Sequence, residues 1–279
     1  MKAPVQSISV SKVVSNRKEI GPDLVAVEEP LEIRVGYGPE NNREQLSLAV
    51  TMRTPGNDLE LAFGFLFTEG IVSAFDQLES IKYCSDTGKQ EEKENVIRAE
   101  LKPSLKLDTG KFQRNFYMSS SCGVCGKGSI DSVRTECKIS SDQSIVSAQV
   151  IHRLQNSLRT DQVVFDHTGG LHASALFDLH GKKILIREDV GRHNALDKVI
   201  GARLMKNGQD LDGSIIFVSG RASFELVQKA AMAGIPILVA VGAPSSLAIS
   251  LAKEMNMTLL GFVRDEKFNI YSGEQRIKI

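Results

Sequence analysis

Cysteine is scarce: four in 279 residues are too few for a disulfide-built scaffold, so an ordinary apolar core must hold the chain together. Long apolar runs are missing too. The longest, Ile235 to Ala243, is about half of what crosses a bilayer and contains Pro236, which excludes a transmembrane helix. Neither sign of charge is in excess, with 34 basic side chains against 34 acidic ones. No global field therefore draws the protein to nucleic acid or to a membrane, and any anion site must be local. Met1 to Val14 lacks the basic start, apolar stretch and cleavage site of a secretory leader, so the cytoplasm is the expected compartment.

What is present suits a globular chain: 42% hydrophobic and 24% charged residues, and a length that corresponds to about two domains. The expected division is a strand-rich unit over residues 1–110 and an α/β unit over 111–279. Leu31, Ile33 and Val35 alternate with polar residues, and Leu46 to Val50 resumes a strand after a turn-rich break. Asn57 and Glu60 open a helix whose apolar face is Leu59, Phe63, Leu66 and Phe67, with Asn57 as its expected cap and Gly70 after its end. The charge-dense run Lys89 to Glu94 reads as the tip of a hairpin between strands 81–84 and 96–99, and Val146 to Leu158 has helical spacing. Further on, His180-Gly181 separates two strands, and a helix follows over Leu196 to Leu204. Three uniformly apolar strands, 214–218, 237–241 and 257–260, then alternate with helices over 223–233 and 246–255. Strands of that kind are covered on both faces, which predicts a parallel sheet in a three-layer αβα arrangement.

The loudest chemical signal is Cys122-Gly-Val-Cys125, set in a serine- and glycine-rich loop with Lys127 close behind. Thiolates are the nucleophilic form, backbone N–H groups and a cation lower their pKa, and Gly123 and Gly126 leave the sulfurs accessible. Two adjacent thiols suit disulfide exchange or persulfide transfer. Half of a structural zinc site is the competing reading, but Cys84 and Cys137 are isolated, so a full ligand set is lacking and no metal is expected. A thioredoxin-like pair would follow a strand and open a long helix, which this one does not. A zinc deaminase needs His-x-Glu before Pro-Cys-x-x-Cys. Here His172-Ala-Ser174 comes after the pair, and the proton-moving glutamate and the proline are both absent. His172 either lines a site or is a hydrogen-bonded structural histidine.

Two loops, Ser219-Gly-Arg-Ala-Ser223 and Gly242-Ala-Pro-Ser-Ser246, follow apolar strands and precede helices, the position where α/β proteins hold phosphate. Arg221 offers a bidentate cation, and Ser219 and Ser245 are small polar neighbours. A third cluster, Arg187 to Lys198, has seven ionisable residues in twelve, His193 among them. It is either a solvated helix start or the polar wall of a binding site, with the second reading favoured beside two candidate phosphate loops. If the three strands run parallel, Arg221, Ser245 and Arg264 converge on one edge.

The stretches Arg53 to Leu66, Ser120 to Lys127, Thr168 to His172, Arg187 to Lys198, Ser219 to Ser223 and Leu260 to Arg264 together resemble the formate dehydrogenase accessory sulfurtransferases, the FdhD family. The resemblance implies a cytoplasmic, homodimeric sulfur carrier with a cytidine-deaminase-like αβα domain. It implies that persulfide sulfur from a cysteine desulfurase is passed to the bis(molybdopterin guanine dinucleotide) molybdenum cofactor that serves formate dehydrogenase. Carried over by position, Cys122 bears the persulfide and Cys125 is its partner. The segment Phe262, Val263, Arg264, Asp265, Glu266 and Lys267 falls where the family contacts the molybdenum cofactor, and a GDP-like moiety agrees with the phosphate loops. A zinc-stabilised module, or a nucleotide-binding scaffold chaperone without thiol chemistry, is the alternative.

Overall fold

The computed structural model describes residues 2–84, 93–108, 137, 141, 143–159, 162–206 and 211–279. The Cys122–Cys125 loop and most of the expected hairpin tip, Lys89 to Glu94, lie outside these residues.

The chain opens with a long hairpin, β1 (Val5–Val14) against β2 (Arg17–Ala26), turned at Ser15 and Asn16 with positive φ. Next come β3 (Glu29–Tyr37), β4 (Glu44–Arg53), α1 (Asp58–Thr68), β5 (Leu78–Tyr83) and β6 (Val96–Leu101). Strands β4-β3-β6-β5 form one sheet in that order. Leu31, Ile33 and Val35 point from β3 into a core with Leu61, Phe63 and Leu66 of α1, as the period-two and helical spacings require. One expectation fails at the start of α1. Asn57 sits at the cap position in the left-handed region (φ 57°) and makes no capping bond, because a side-chain cap needs an extended backbone. Asp58 takes the local donors instead, accepting from Gly56 N at 3.1 Å and Arg53 Nε at 3.0 Å.

The second part contains β7 (Val146–Ser147), α2 (Ala148–Arg159), α3 (Val163–Thr168), β8 (His172–Asp178), β9 (Lys183–Asp189), α4 (Arg192–Met205), β10 (Ser214–Val218), α5 (Phe224–Met232), β11 (Ile237–Ala240), α6 (Ser246–Glu254), β12 (Thr258–Arg264), β13 (Lys267–Ser272) and β14 (Ile277–Lys278). The helix expected from Val146 begins at Ala148, because Val146 and Ser147 pair in parallel with β14. A six-stranded sheet runs β13-β12-β11-β10-β8-β9. Strands β10, β11 and β12 are parallel, as expected, and antiparallel hairpins β8–β9 and β12–β13 flank them. Alternate residues feed opposite faces. Ile216, Val218, Leu238 and Leu259 pack on α4, α5 and α6, while Ile215, Phe217, Val239 and Leu260 pack on α2.

The two parts meet where α1 lies on α4. A Cβ at Gly64 would strike the backbone carbonyl of Asp197, and one at Gly201 would strike that of Glu60, so only glycine permits this backbone-to-backbone approach.

Candidate functional site

Parallel strands leave their carboxyl ends on one edge, and loops there can be held close together. The loops after β10 and β11 are zipped by main-chain bonds: Gly242 N to Gly220 O at 2.9 Å, Ala222 N to Ala243 O at 3.2 Å and Ser245 N to Ala222 O at 3.0 Å. Phe262 N of β12 adds a bond to Gly242 O at 3.2 Å, and Ser219 N reaches back to Ala173 O of β8 at 2.9 Å. This edge carries an open cleft of about 660 Å3 lined by Ser219, Gly220, Arg221, Val241, Gly242 and the β12–β13 hairpin. The hairpin contributes Phe262, Arg264, Asp265, Lys267 and Asn269.

Arg221, Arg264, Asp265 and Lys267 make no ion pair or side-chain hydrogen bond with any described residue. Three cations and one carboxylate thus face an open space with their charge unspent, which suits an anionic ligand.

The remaining candidates lie elsewhere. Val263 is 1% exposed and belongs to the core beneath the sheet, since strand alternation turns it away from its neighbours Phe262 and Arg264. Ser245 caps α6, its Oγ accepting from Ala248 N at 3.2 Å. Glu266 sits at the hairpin turn and does not line the cleft. His193, in the first turn of α4, lies 3.3 Å from Ser223 Oγ and 3.8 Å from Glu225. That contact, with further hydrogen bonds, holds the Glu225 carboxyl down at about 2. His172 lies behind Gly220 and does not line the cleft, and burial, with Arg192 and His193 nearby, lowers its pKa. Besides Val241, Asn269 is a lining residue that sequence reasoning missed. It pairs with Gly261 across the hairpin, and recognising β13 as a strand was the signal that could have found it.

The charged stretch Arg187 to Lys198 corrects an expectation: most of its charges are structural. Arg187 forks onto Glu60 of α1. Asp189 and Lys198 are both buried and 2.7 Å apart, and Lys198 also donates to Thr54 O at 2.9 Å. Asp197 binds Lys229 at 2.9 Å, which also reaches Glu69 at 3.2 Å. Burial opposes the Lys229 charge, but the two carboxylates outweigh it and raise its pKa. These pairs fasten α1 and the end of β4 to α4 and leave little for a ligand. Among the described residues no group of three or more His, Cys, Asp or Glu side chains could hold a metal, and no helix is long and apolar enough to cross a membrane.

The FdhD/NarQ family model matches residues 26–278. The chain belongs to the FdhD/NarQ family. A sulfur carrier protein FdhD of Mycolicibacterium paratuberculosis is 49% identical over 92% of this chain and 92% of its own length. One of Sulfolobus acidocaldarius is 42% identical over 99% of both. The crystal structure of a formate dehydrogenase accessory protein from Desulfotalea psychrophila shares the fold, with a TM-score of 0.75 over 99% of this chain and 100% of that one, at 21% identity. The family match embraces the four- and six-stranded sheets and the cleft, so this FdhD/NarQ member carries its cleft on the fold the family shares.

Proposed function

We propose that this FdhD/NarQ protein is a cytoplasmic sulfur carrier. It accepts persulfide sulfur from a cysteine desulfurase on Cys122, with Cys125 assisting, and delivers it to the bis(molybdopterin guanine dinucleotide) molybdenum cofactor destined for formate dehydrogenase. The observation that carries the reading is the cleft: its cations lack ionic partners among the described residues and lie at the strand ends where α/β proteins hold phosphates, which supports a nucleotide-bearing cargo. In the loading step the Cys122 thiolate attacks the terminal sulfur of the donor persulfide, the donor S–S bond breaks, and the desulfurase thiolate leaves. The same reading includes a homodimer, division into units 1–110 and 111–279, a cytidine-deaminase-like layering of the second unit, and transfer without zinc.

Intact-protein mass spectrometry after incubation with a desulfurase and cysteine tests the thiol assignment. The wild type gains one sulfur atom, Cys122→Ala gains none, and Cys125→Ala keeps partial loading. Full loading of the Cys122 variant overturns the assignment. If chelator treatment abolishes transfer and zinc alone restores it, the metal-free reading is wrong.

A further inference from the structure

The β1–β2 hairpin pairs with neither main sheet. Strand β2 rests on the body where Ala26 meets Gly170, just past α3, and among the described residues β1 and β2 form a sheet only with each other. A two-stranded ribbon in water is marginal, so an arm of ten residue pairs needs a neighbour. Its apolar side chains are bare, with Val13 71% and Ile20 78% exposed. The two edges of the ribbon differ. Strand β2 is protected against further pairing by Pro22, which has no N–H, by Gly21, and by the charges of Arg17, Lys18, Glu19 and Asp23. Strand β1 contains no proline or glycine, and Lys12 is its one charge. Its outer edge is open to another strand.

We infer that this edge is a self-pairing surface: β1 pairs antiparallel with β1 of a second copy of the chain, about a two-fold axis at Ser9. The strand's own sequence carries the assignment, because residues 5–13 read nearly alike in both directions. With each Ser9 opposite the other, Val5 meets Val13 and Ser7 meets Ser11 on one face, while Ile8 meets Val10 and Gln6 meets Lys12 on the other. Every apolar side chain then faces an apolar one, no like charges oppose, and each serine hydroxyl, both donor and acceptor, faces another. Such self-complementarity is what a two-fold interface between identical chains requires. A partner of different sequence gains nothing from it. The product is a four-stranded sheet in the order β2-β1-β1-β2, wide enough to be stable where the separate ribbons are not. The inference rests on the homodimer reading and adds the surface that makes the dimer; nearly all of that surface precedes residue 26, where the family match begins.

Sedimentation equilibrium of the full-length protein tests the pairing by charge exchange. One variant carries Ser7→Glu, Ser9→Glu and Ser11→Glu, and a second carries Ser7→Lys, Ser9→Lys and Ser11→Lys; all three serines are exposed, so the body of the fold is untouched. In the proposed register each variant sets three like charges against three, and its dimer should dissociate at least about 10-fold more readily than that of the wild type. An equimolar mixture of the two sets opposite charges face to face and should dimerise as tightly as the wild type or more so. That rescue separates pairing from mere damage to the arm. If the wild type is a dimer and both variants dimerise equally well, the interface lies elsewhere: the β1 pairing is overturned and the homodimer reading stands. Weakened variants without rescue in the mixture overturn the pairing as well. If the wild type is a monomer at every concentration, the pairing and the homodimer reading fall together.

Discussion

Lys198 and Arg221 are cations from two neighbouring charge-bearing stretches, and the fold treats them oppositely. Lys198 is buried against Asp189 and the Thr54 carbonyl, while Arg221 faces the cleft with no ionic partner among the described residues. The stretch Arg187 to Lys198 is the denser in charge, and it is the one whose charges are mostly consumed by the protein itself. Density of charge in a sequence therefore says little about binding. Whether each charge finds a partner in the fold says much more.

That contrast can be broken at the seam first. Lys198→Met strands the Asp189 carboxylate in the interior and should cost about 3–5 kcal/mol in denaturant unfolding, the usual range for half of a buried pair. A loss below about 1 kcal/mol would mean that the pair is solvated and the contrast false. At the cleft the ledger reverses. Arg221→Ala should weaken GDP binding by about 1.5–3 kcal/mol, yet shift unfolding by no more than about 0.5 kcal/mol. Comparable losses in both assays would make Arg221 a structural residue. Gly201→Ala should destabilise by about 1–3 kcal/mol through overpacking against the Glu60 carbonyl, with GDP affinity unchanged in the folded fraction.

The smallest effect is a pH dependence. His172 has a folded pKa below its ordinary value of 6.5, so over the interval beneath 6.5 the unfolded chain binds more protons than the folded one. Stability conferred by the neutral ring is fully present above 6.5 and is lost as pH falls through the folded value. Unfolding curves of wild type and His172→Gln between pH 7.5 and about 5 should converge on acidification. Parallel curves would place His172 in solvent.

Much of this arrangement was legible beforehand, and the reasons are physical. Uniformly apolar strands announced β10, β11 and β12 as parallel neighbours, and that alone brings Arg221 and Arg264 to one edge. The contiguous segment 262–267 was less readable, because a strand cannot turn consecutive side chains to one face; Val263 serves the core between two cleft residues. Asn57 misled because Asn favours both a helix cap and the left-handed region, and the chain uses the second. Ser245 looked like a phosphate ligand for the same chemical reason that it caps a helix: its hydroxyl oxygen satisfies a free N–H. Lys198 also reaches Thr54, and Arg187 reaches Glu60, both far away in sequence, and no local pattern reports contacts of that range.

The glycine seam between α1 and α4 has a mechanical consequence. Where helices touch through side chains, rotamer changes take up small displacements; where they touch backbone to backbone, there are no torsions in between to absorb them. Gly64 and Gly201 thus act as a rivet, and Arg187, forked onto Glu60, braces it from the side. A push on α1 is delivered to α4 without slack, and the first turn of α4 holds His193 against Ser223, at the root of the loop that bears Arg221. The strand-rich layer and the cleft-bearing layer form one stiff chassis, with the cleft as a fixed socket in its rim.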